Sequence, residues 1–325
     1  MNFQKRKKFG TRLIQVAYYY WLKKQVEVPY VPYRLWIEPT NRCNLSCVMC
    51  PNKEFKKDEL GFMDFNFYRK IIDQAQGWIY DINLHHRGES TLHPGLIDMI
   101  EYTKALDFSV KLHTNGTTLT EKMAQNLIDA RLDIISFSFD GYTPVVYEKV
   151  RVGAKFEETL SRIYRFLEMK QKGGHDKPKT VMEVMEFDRD ADSLSAKPSF
   201  IKELKKRGLN RFIVKKPHNW AGNINLKTDD SAQFTACTFP WHSLVVSWNG
   251  VAGPCPHDFF GKIVLGDMHS EPIASIFNSS ASIRLRKQML EGKFEALDEP
   301  CRSCDSVRRK RFLGMPLASL KYVKE

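Results

Sequence analysis

The sequence predicts an α/β protein, an open barrel of six β/α units followed by a smaller cysteine-bearing extension. Three observations carry this expectation. Strand-like alternation and helix-like periodicity take turns from Arg34 to Lys216, the order that builds a parallel sheet with right-handed crossovers. Several strand patterns end in short Gly-, Asn- or Asp-containing turns, the place where such sheets keep their chemistry. Beyond residue 225 the alternation stops, and four of the seven cysteines follow.

Residues 1–31 read as a basic start and a helical segment. Thr11–Lys24 puts Leu13, Ile14, Ala17, Tyr18, Trp21 and Leu22 on a rough 3.6-residue face. That helix is expected to pack on the body, and its aromatics beside basic residues also suit peripheral contact with a membrane surface. The barrel is expected over 32–225. Arg34–Glu38 is its first strand and leads into three cysteines. Ile79–His86 is the second and ends at Arg87-Gly88-Glu89. Phe108–His113 ends at Thr114-Asn115-Gly116, and Asp133–Phe139 ends at Asp140-Gly141. Thr180–Phe187 and Arg211–Lys216 complete the six, with helical patterns such as Pro94–Leu106 and Thr120–Ala130 between them. Six units leave the barrel short of the closed eight-unit form. The extension, 226–310, holds a short β-like Trp241–Trp248, a hairpin signal at Asn249-Gly250, a helix over Ile273–Glu291 and the Cys301–Cys304 pair. Residues 311–325 form a basic tail.

The net charge of +12 sits at the ends: residues 1–30 carry seven Lys/Arg against one Glu, and 301–325 carry seven against two acids. The nearly neutral middle argues against a basic groove and against nucleic acid as the partner. There is no apolar run of about 18 residues for a spanning helix, and no apolar core of a signal peptide at the N-terminus. A cytoplasmic protein is expected, with the N-terminal helix as its contact if it meets a membrane. An odd number of cysteines in two groups points to metal or redox chemistry rather than disulfides.

Cys43, Cys47 and Cys50 are spaced C-x3-C-x2-C. Three thiolates on one loop can hold three irons of a [4Fe–4S] cubane and leave the fourth iron open. A structural zinc site would need a fourth ligand, which the loop itself does not offer. The loop resembles the signature of the radical S-adenosylmethionine superfamily, with Met49 where that family usually has an aromatic. The resemblance continues in order along the chain. Arg87-Gly88-Glu89 is similar to the family's Gly-Gly-Glu motif, with Arg87 in place of the first Gly. Thr114-Asn115-Gly116 and Ser138-Phe139-Asp140-Gly141 match the ends of its third and fourth strands, and Arg151 follows at the usual spacing. The resemblance implies that S-adenosylmethionine is a cofactor, contacted by Gly88, Glu89, Asn115, Ser138 and Arg151. Glu89 would take its ammonium and Arg151 its carboxylate, as a zwitterion requires. It also implies reductive cleavage of the cofactor to a 5′-deoxyadenosyl radical that takes hydrogen from a substrate, with electrons from a flavodoxin- or ferredoxin-type donor.

Cys237, Cys255, Cys301 and Cys304 are spaced C-x17-C-x45-C-x2-C. Four thiolates satisfy a whole [4Fe–4S] cluster, although the final C-x2-C is also half of a zinc ribbon. With their flanks, these residues resemble the SPASM auxiliary-cluster extension. Because only four cysteines are present, the shorter single-cluster twitch form fits, the layout of the aminocyclitol dehydrogenases of butirosin biosynthesis. By that resemblance the second cluster would either accept an electron from a substrate radical or staple the extension.

The substrate expected is a small polar molecule such as a sugar, cyclitol or nucleoside, in a dehydrogenase-like reaction. His85, Arg87, His113 and Glu183 are the candidate catalytic residues, because they lie near strand ends; His86, Lys215 and His218 share that location. Alternation places His85 and Arg87 on one face and His86 on the other. The alternatives are a peptide-modifying maturase, an enzyme acting on a lipid-linked substrate, and a non-catalytic metal-binding module that contacts nucleic acid.

Overall fold

The computed structural model describes residues 11, 14–187, 191–224, 233–309, 311–312 and 315–316. Most of both basic termini, 1–10 and 317–325, lies outside the described residues, as do Arg12 and Leu13 of the N-terminal helical pattern.

Six strands follow the expected order: β1 (Arg34–Ile37), β2 (Asp81–Asn83), β3 (Ser109–Thr114), β4 (Ile134–Ser138), β5 (Lys179–Met185) and β6 (Arg211–Lys215). Helices at Phe65–Ala75, Leu96–Ala105, Glu121–Asp129, Phe156–Lys172 and Ala191–Lys206 fall between them. After the short β7 (Gln233–Phe234) come β8 (Ser243–Val246), β9 (Val251–Gly253) and β10 (Gly266–Asp267). The main sheet runs β10-β9-β8-β1-β2-β3-β4-β5-β6. All neighbours from β8 through β6 are parallel, and β9 and β10 add an antiparallel edge. The barrel sheet therefore continues past β1 into the extension. Leu35, Ile37, Leu244 and Val246 are all buried with no more than traces of exposure, so β8 and β1 share one apolar layer.

One expected element is two. The helical pattern over Ile273–Glu291 breaks into Ile273–Phe277 and Ser280–Glu291. Asn278 turns aside to bond Val28, accepting from its N at 3.1 Å and donating to its O at 2.7 Å, and Ser279 caps the second helix through Ser282 N at 3.3 Å. A side chain that bonds backbone locally competes with the helix ladder, and here it interrupts it. Arg286, fully buried, donates to the carbonyls of Val26, Pro240 and Phe277, fastening the N-terminal segment to the extension. On that segment Tyr20 is buried against Trp241, their ring centroids 4.9 Å apart. Ile14, Trp21 and Leu22 remain exposed. No helix among the described residues is long and apolar enough to cross a membrane.

The two faces of the barrel sheet differ in chemistry. On β3, Val110, Leu112 and Thr114 are buried, while Ser109, Lys111 and His113 alternate with them. Parallel register carries this alternation across the sheet: His113 lies opposite Ser136, Ser138 opposite Glu183, and Met185 opposite Lys215. One face thus packs Leu112, Ile135, Phe137 and Met182 into the core. The other presents Arg34, Asp81, Asn83, Lys111, His113 and Glu183. Parallel strands are ordinarily apolar on both faces. In an open barrel the helices cover the outside, so the polar face is the interior.

Candidate active site

The first cysteine loop leaves β1 through Glu38 and is held at both ends. Thr40 Oγ1 donates to Gly61 O at 2.5 Å, and Asn41 exchanges bonds with Glu59 O and Gly61 N at 2.8 and 2.9 Å. Ser46 N and Val48 N donate to Val152 O and Val150 O, both at 3.0 Å. Cys47 is buried, and Cys43 and Cys50 are half-buried. Burial pushes the Cys43 thiol up to about 12 and the Cys50 thiol up to about 11, and in both cases neighbouring cysteines of the loop add to the rise. Thiols so raised become thiolates only with a cation among them. A cluster of three or more irons with soft-ligand preference fits that requirement, and Cys43, Cys47 and Cys50 can hold it.

The turn after β2 crosses this loop. Gly88 has φ +68°, and a Cβ there would lie 2.6 Å from Thr40 O, Asn41 C and Arg42 O. Only glycine accommodates both the conformation and the approach. Glu89 N then bonds Arg42 O at 2.8 Å. The Glu89 carboxylate, 2% exposed, accepts from Thr91 N and Oγ1 at 3.2 and 2.6 Å and from Asn115 N at 2.6 Å. A carboxylate has about four acceptor positions, so it keeps capacity for a ligand donor. Asn115 also donates to Asn44 Oδ1 at 3.1 Å, so the third strand end meets the cysteine loop. Arg151 is buried beside Cys47 and clasps Asp140 Oδ2 through Nε at 3.0 Å and Nη2 at 2.6 Å. The structure thus gives the expected carboxylate-gripping cation an internal partner already. Ser138 lies on the inner face at the end of β4.

Arg87 and His86 depart from the alternation expected of them. β2 ends at Asn83, so residues beyond it do not keep strand geometry, and both turn toward Glu38. The Arg87 guanidinium is bidentate to Glu38, Nε–Oε2 at 2.6 Å and Nη2–Oε1 at 2.7 Å, and Nη1 donates to Phe259 O at 3.3 Å. His86 Nδ1 lies 3.5 Å from the same carboxylate, and Trp248 N donates to it at 3.2 Å. Burial alone would raise the fully enclosed Glu38, but Arg87 and His86 hold it well below the usual carboxylate range. Arg87 is therefore neutralised by Glu38 and ties the barrel to the extension; a guanidinium in this setting does not act as a base.

His85, His113 and Glu183 are brought together on the inner face, with Lys111 and Lys215 beside them. The two imidazoles lie 3.9 Å apart by ring centroid. His113 Nδ1 is 3.6 Å, and Lys111 Nζ 3.9 Å, from the Glu183 carboxylate, which is also ion-paired with Lys215. Burial, reinforced by neighbouring charges that include Lys111, drives both histidines well below the ordinary imidazole value, so both are neutral. The lysines outweigh the burial of Glu183 and keep it ionised. Lys111 had no marker in the sequence, where a lysine between apolar residues reads as a solvated strand position.

The four remaining cysteines converge in the extension. Burial raises Cys255 well above its ordinary value, and Cys237, Cys301 and Cys304 add to the rise. Burial also pushes Cys304 up to about 12, with Cys237 the next contributor. Four mutually close, desolvated thiols fit a fully ligated iron–sulfur cluster. Ser306 N donates to Cys304 Sγ at 3.4 Å, and Ser306 Oγ meets His257 Nδ1 at 2.8 Å.

Two adjacent residues connect both cysteine sites. Asn219 Nδ2 donates to Ser303 O at 2.7 Å, Asn219 N to Asp305 Oδ2 at 3.0 Å and Asp305 N to Asn219 Oδ1 at 3.1 Å. Trp220 Nε1 donates to Met49 O at 2.9 Å in the first loop. The turn that allows this has φ +46° at Trp220, +53° at Ala221 and +90° at Gly222, a conformation non-glycine residues seldom adopt. A Cβ on Gly222 would meet Ser303 Cβ at 2.5 Å. His218 stacks on His257, centroids 5.0 Å apart.

A model of the Radical SAM superfamily matches residues 37–186, and one of the SPASM iron–sulfur cluster-binding domain matches 237–305. Residues 37–186 are thus a radical S-adenosylmethionine domain and residues 237–305 a SPASM-type cluster-binding domain; the chain is an enzyme whose cofactors are S-adenosylmethionine and iron–sulfur clusters. It is similar to the S-adenosyl-L-methionine-dependent 2-deoxy-scyllo-inosamine dehydrogenase of Niallia circulans, 25% identical over 275 residues, 83% of this chain and 92% of that protein. Other curated relatives, at 34% identity, match over 154 and 140 residues, and the chain covers only 43% and 46% of their lengths. Two solved structures share the fold. BtrN in complex with AdoMet and 2-DOIA aligns with a TM-score of 0.59 at 20% identity, covering 88% of this chain and 99% of that one. Streptococcus suis SuiB bound to the precursor peptide SuiA aligns with a TM-score of 0.67 at 13% identity, covering 88% and 72%.

Proposed function

We propose that this enzyme takes a hydrogen atom from a small polar substrate, such as a sugar, cyclitol or nucleoside, seated on the inner face of the barrel in a dehydrogenase-type reaction. In this reading Cys43, Cys47 and Cys50 hold the cluster that meets S-adenosylmethionine, and Cys237, Cys255, Cys301 and Cys304 hold the auxiliary cluster. When bound, the first cluster and S-adenosylmethionine would supply a 5′-deoxyadenosyl radical, and the auxiliary cluster would accept the electron left on the substrate after loss of the hydrogen atom and the hydroxyl proton. The protein's own part is orientation and proton handling. Gly88 and Asn115 fix the strand ends against the cysteine loop, Glu89 offers an acceptor for the ammonium, and Ser138 and Arg151 border the same opening. Ionised Glu183 and neutral His113 are the groups that can accept a substrate hydroxyl proton. The two loops tied by Asn219 and Trp220 keep the centres in fixed register. A flavodoxin- or ferredoxin-type protein would deliver the electrons.

The observation that carries the reading is the polar inner face: His85, Lys111, His113, Glu183 and Lys215 gather on it, a set of groups that suits hydroxyl-bearing molecules. The similarity to the Niallia circulans dehydrogenase over most of both chains points the same way. The test incubates the anaerobically reconstituted enzyme with dithionite, S-adenosylmethionine and a panel of cyclitols, sugars, nucleosides and short peptides. Stimulated 5′-deoxyadenosine formation by a small polyol is expected, with deuterium passing from its carbinol carbon into 5′-deoxyadenosine. Stimulation by peptides and by none of the small molecules would replace this reading with a maturase.

A further inference from the structure

The inner face carries an imbalance of charge that the proposed reaction does not use. Arg34 and Asp81 close on each other at 2.6 Å and cancel as a pair. Nearer the strand C-termini, Lys111 and Lys215 share one carboxylate. Glu183 is ion-paired with Lys215, while Lys111 Nζ has only a long 3.9 Å approach to it. Two lysines thus share one carboxylate, and burial, only partly offset by Glu183, lowers the pKa of Lys111 from its usual value. His85 adds a second observation: its Nδ1 is sealed from solvent and has no hydrogen-bond partner among the described residues. A buried polar atom without a partner is costly, and so is a partly desolvated cation.

We propose that Lys111, His85 and His113, with Lys215 behind them, form an anion subsite, so that the molecule held in the barrel carries a carboxylate or phosphate group. This deepens, and rests on, the reading of the inner face as the substrate cavity. Lys111 supplies the charge. His85 Nδ1 supplies a hydrogen bond in the tautomer an anion selects. Glu183, turned toward Lys215, is left to face the hydroxyl-bearing part of the ligand. Burial first, and the lysines beside them after it, depress the basicity of both histidines.

The test compares binding of myo-inositol, myo-inositol 1-phosphate and inorganic phosphate to the reconstituted holoenzyme by calorimetry in the presence of S-adenosylmethionine. The phosphate-bearing probes are expected to bind at least about tenfold more tightly than neutral inositol, the effect of one charge-assisted contact. Lys111→Met should remove that preference while iron content and circular dichroism are unchanged, and Lys111→Arg should restore much of it. Equal binding of inositol and inositol 1-phosphate by the wild type would overturn the proposal whether or not any variant folds. So would a Lys111→Met variant that keeps the preference. The outcomes also separate the two ideas: stimulation of catalysis by neutral polyols, with no preference for an anion, removes the subsite and leaves the cavity reading. Anion binding lost in Lys111→Met, with stimulation by peptides alone, supports the subsite and removes the small-substrate reading.

Discussion

Cys47→Ala is expected to abolish formation of 5′-deoxyadenosine. Cys47 is the buried member of the first trio and lies beside Arg151, whose other partner is Asp140. Two thiolates cannot replace three on an open cubane, so the loss should be of the cluster and not of rate alone. Chromatography of quenched reactions, with or without any substrate, is the check. The loop backbone is held by Val150, Val152 and Trp220 through main-chain groups and the indole, none of which the substitution touches. The variant should therefore remain folded, with its circular dichroism preserved. Residual cleavage near the wild-type rate would show that Cys47 is no ligand.

Glu38→Ala is expected to lower stability by about 3–5 kcal/mol, the usual effect of removing one partner of a buried ion pair. Glu38 is fully buried and accepts from Arg87 N, Nε and Nη2 and from Trp248 N. Its loss strands the Arg87 guanidinium, 7% exposed, with Phe259 O as its remaining hydrogen-bond acceptor. Urea unfolding of wild type and variant measures the difference, and Glu38→Gln should fall between them. The pH dependence has a definite sign. Because the folded carboxyl titrates below its unfolded value, this pair contributes fully above the unfolded carboxylate pKa, and its contribution disappears as pH falls toward the folded one. The variant should therefore lose less stability on acidification than the wild type. A Glu38→Ala protein within about 1 kcal/mol of wild type would mean that the pair is solvated and not a buried tie.

The same residue shows where sequence reasoning stops. The cysteine spacings and the turns at Gly88, Asn115 and Asp140 are visible because few residue types supply that chemistry and each follows a strand pattern. Glu38 carries no such mark: it is one acid at the end of a strand, and its partners are 49 and 210 positions away. Asn219 and Trp220 are equally silent, since their role depends on a left-handed turn between two loops that lie far apart in sequence. The order of strands along the barrel could be read from alternation. That β8 would join the sheet beside β1 could not, because pairing between strands two hundred residues apart leaves no local pattern. The length of β2 was also overestimated. Apolar alternation persists to Leu84, but hydrogen bonding to β1 ends earlier, and this sends His86 and Arg87 to Glu38. Lys111 shows the inverse case: the alternation of Phe108–His113 is legible, but nothing local tells that its polar side lines the inner face of the sheet beside Glu183.

The central claim is that the seven cysteines hold two iron–sulfur clusters, three on one and four on the other. Iron and acid-labile sulfide per chain after anaerobic reconstitution test it most directly, measured in wild type and in a Cys255→Ser variant. About eight irons in the wild type and about four in the variant are expected, with 5′-deoxyadenosine formation surviving in the variant. A wild type holding about four irons, or zinc in place of iron at either group, would contradict it.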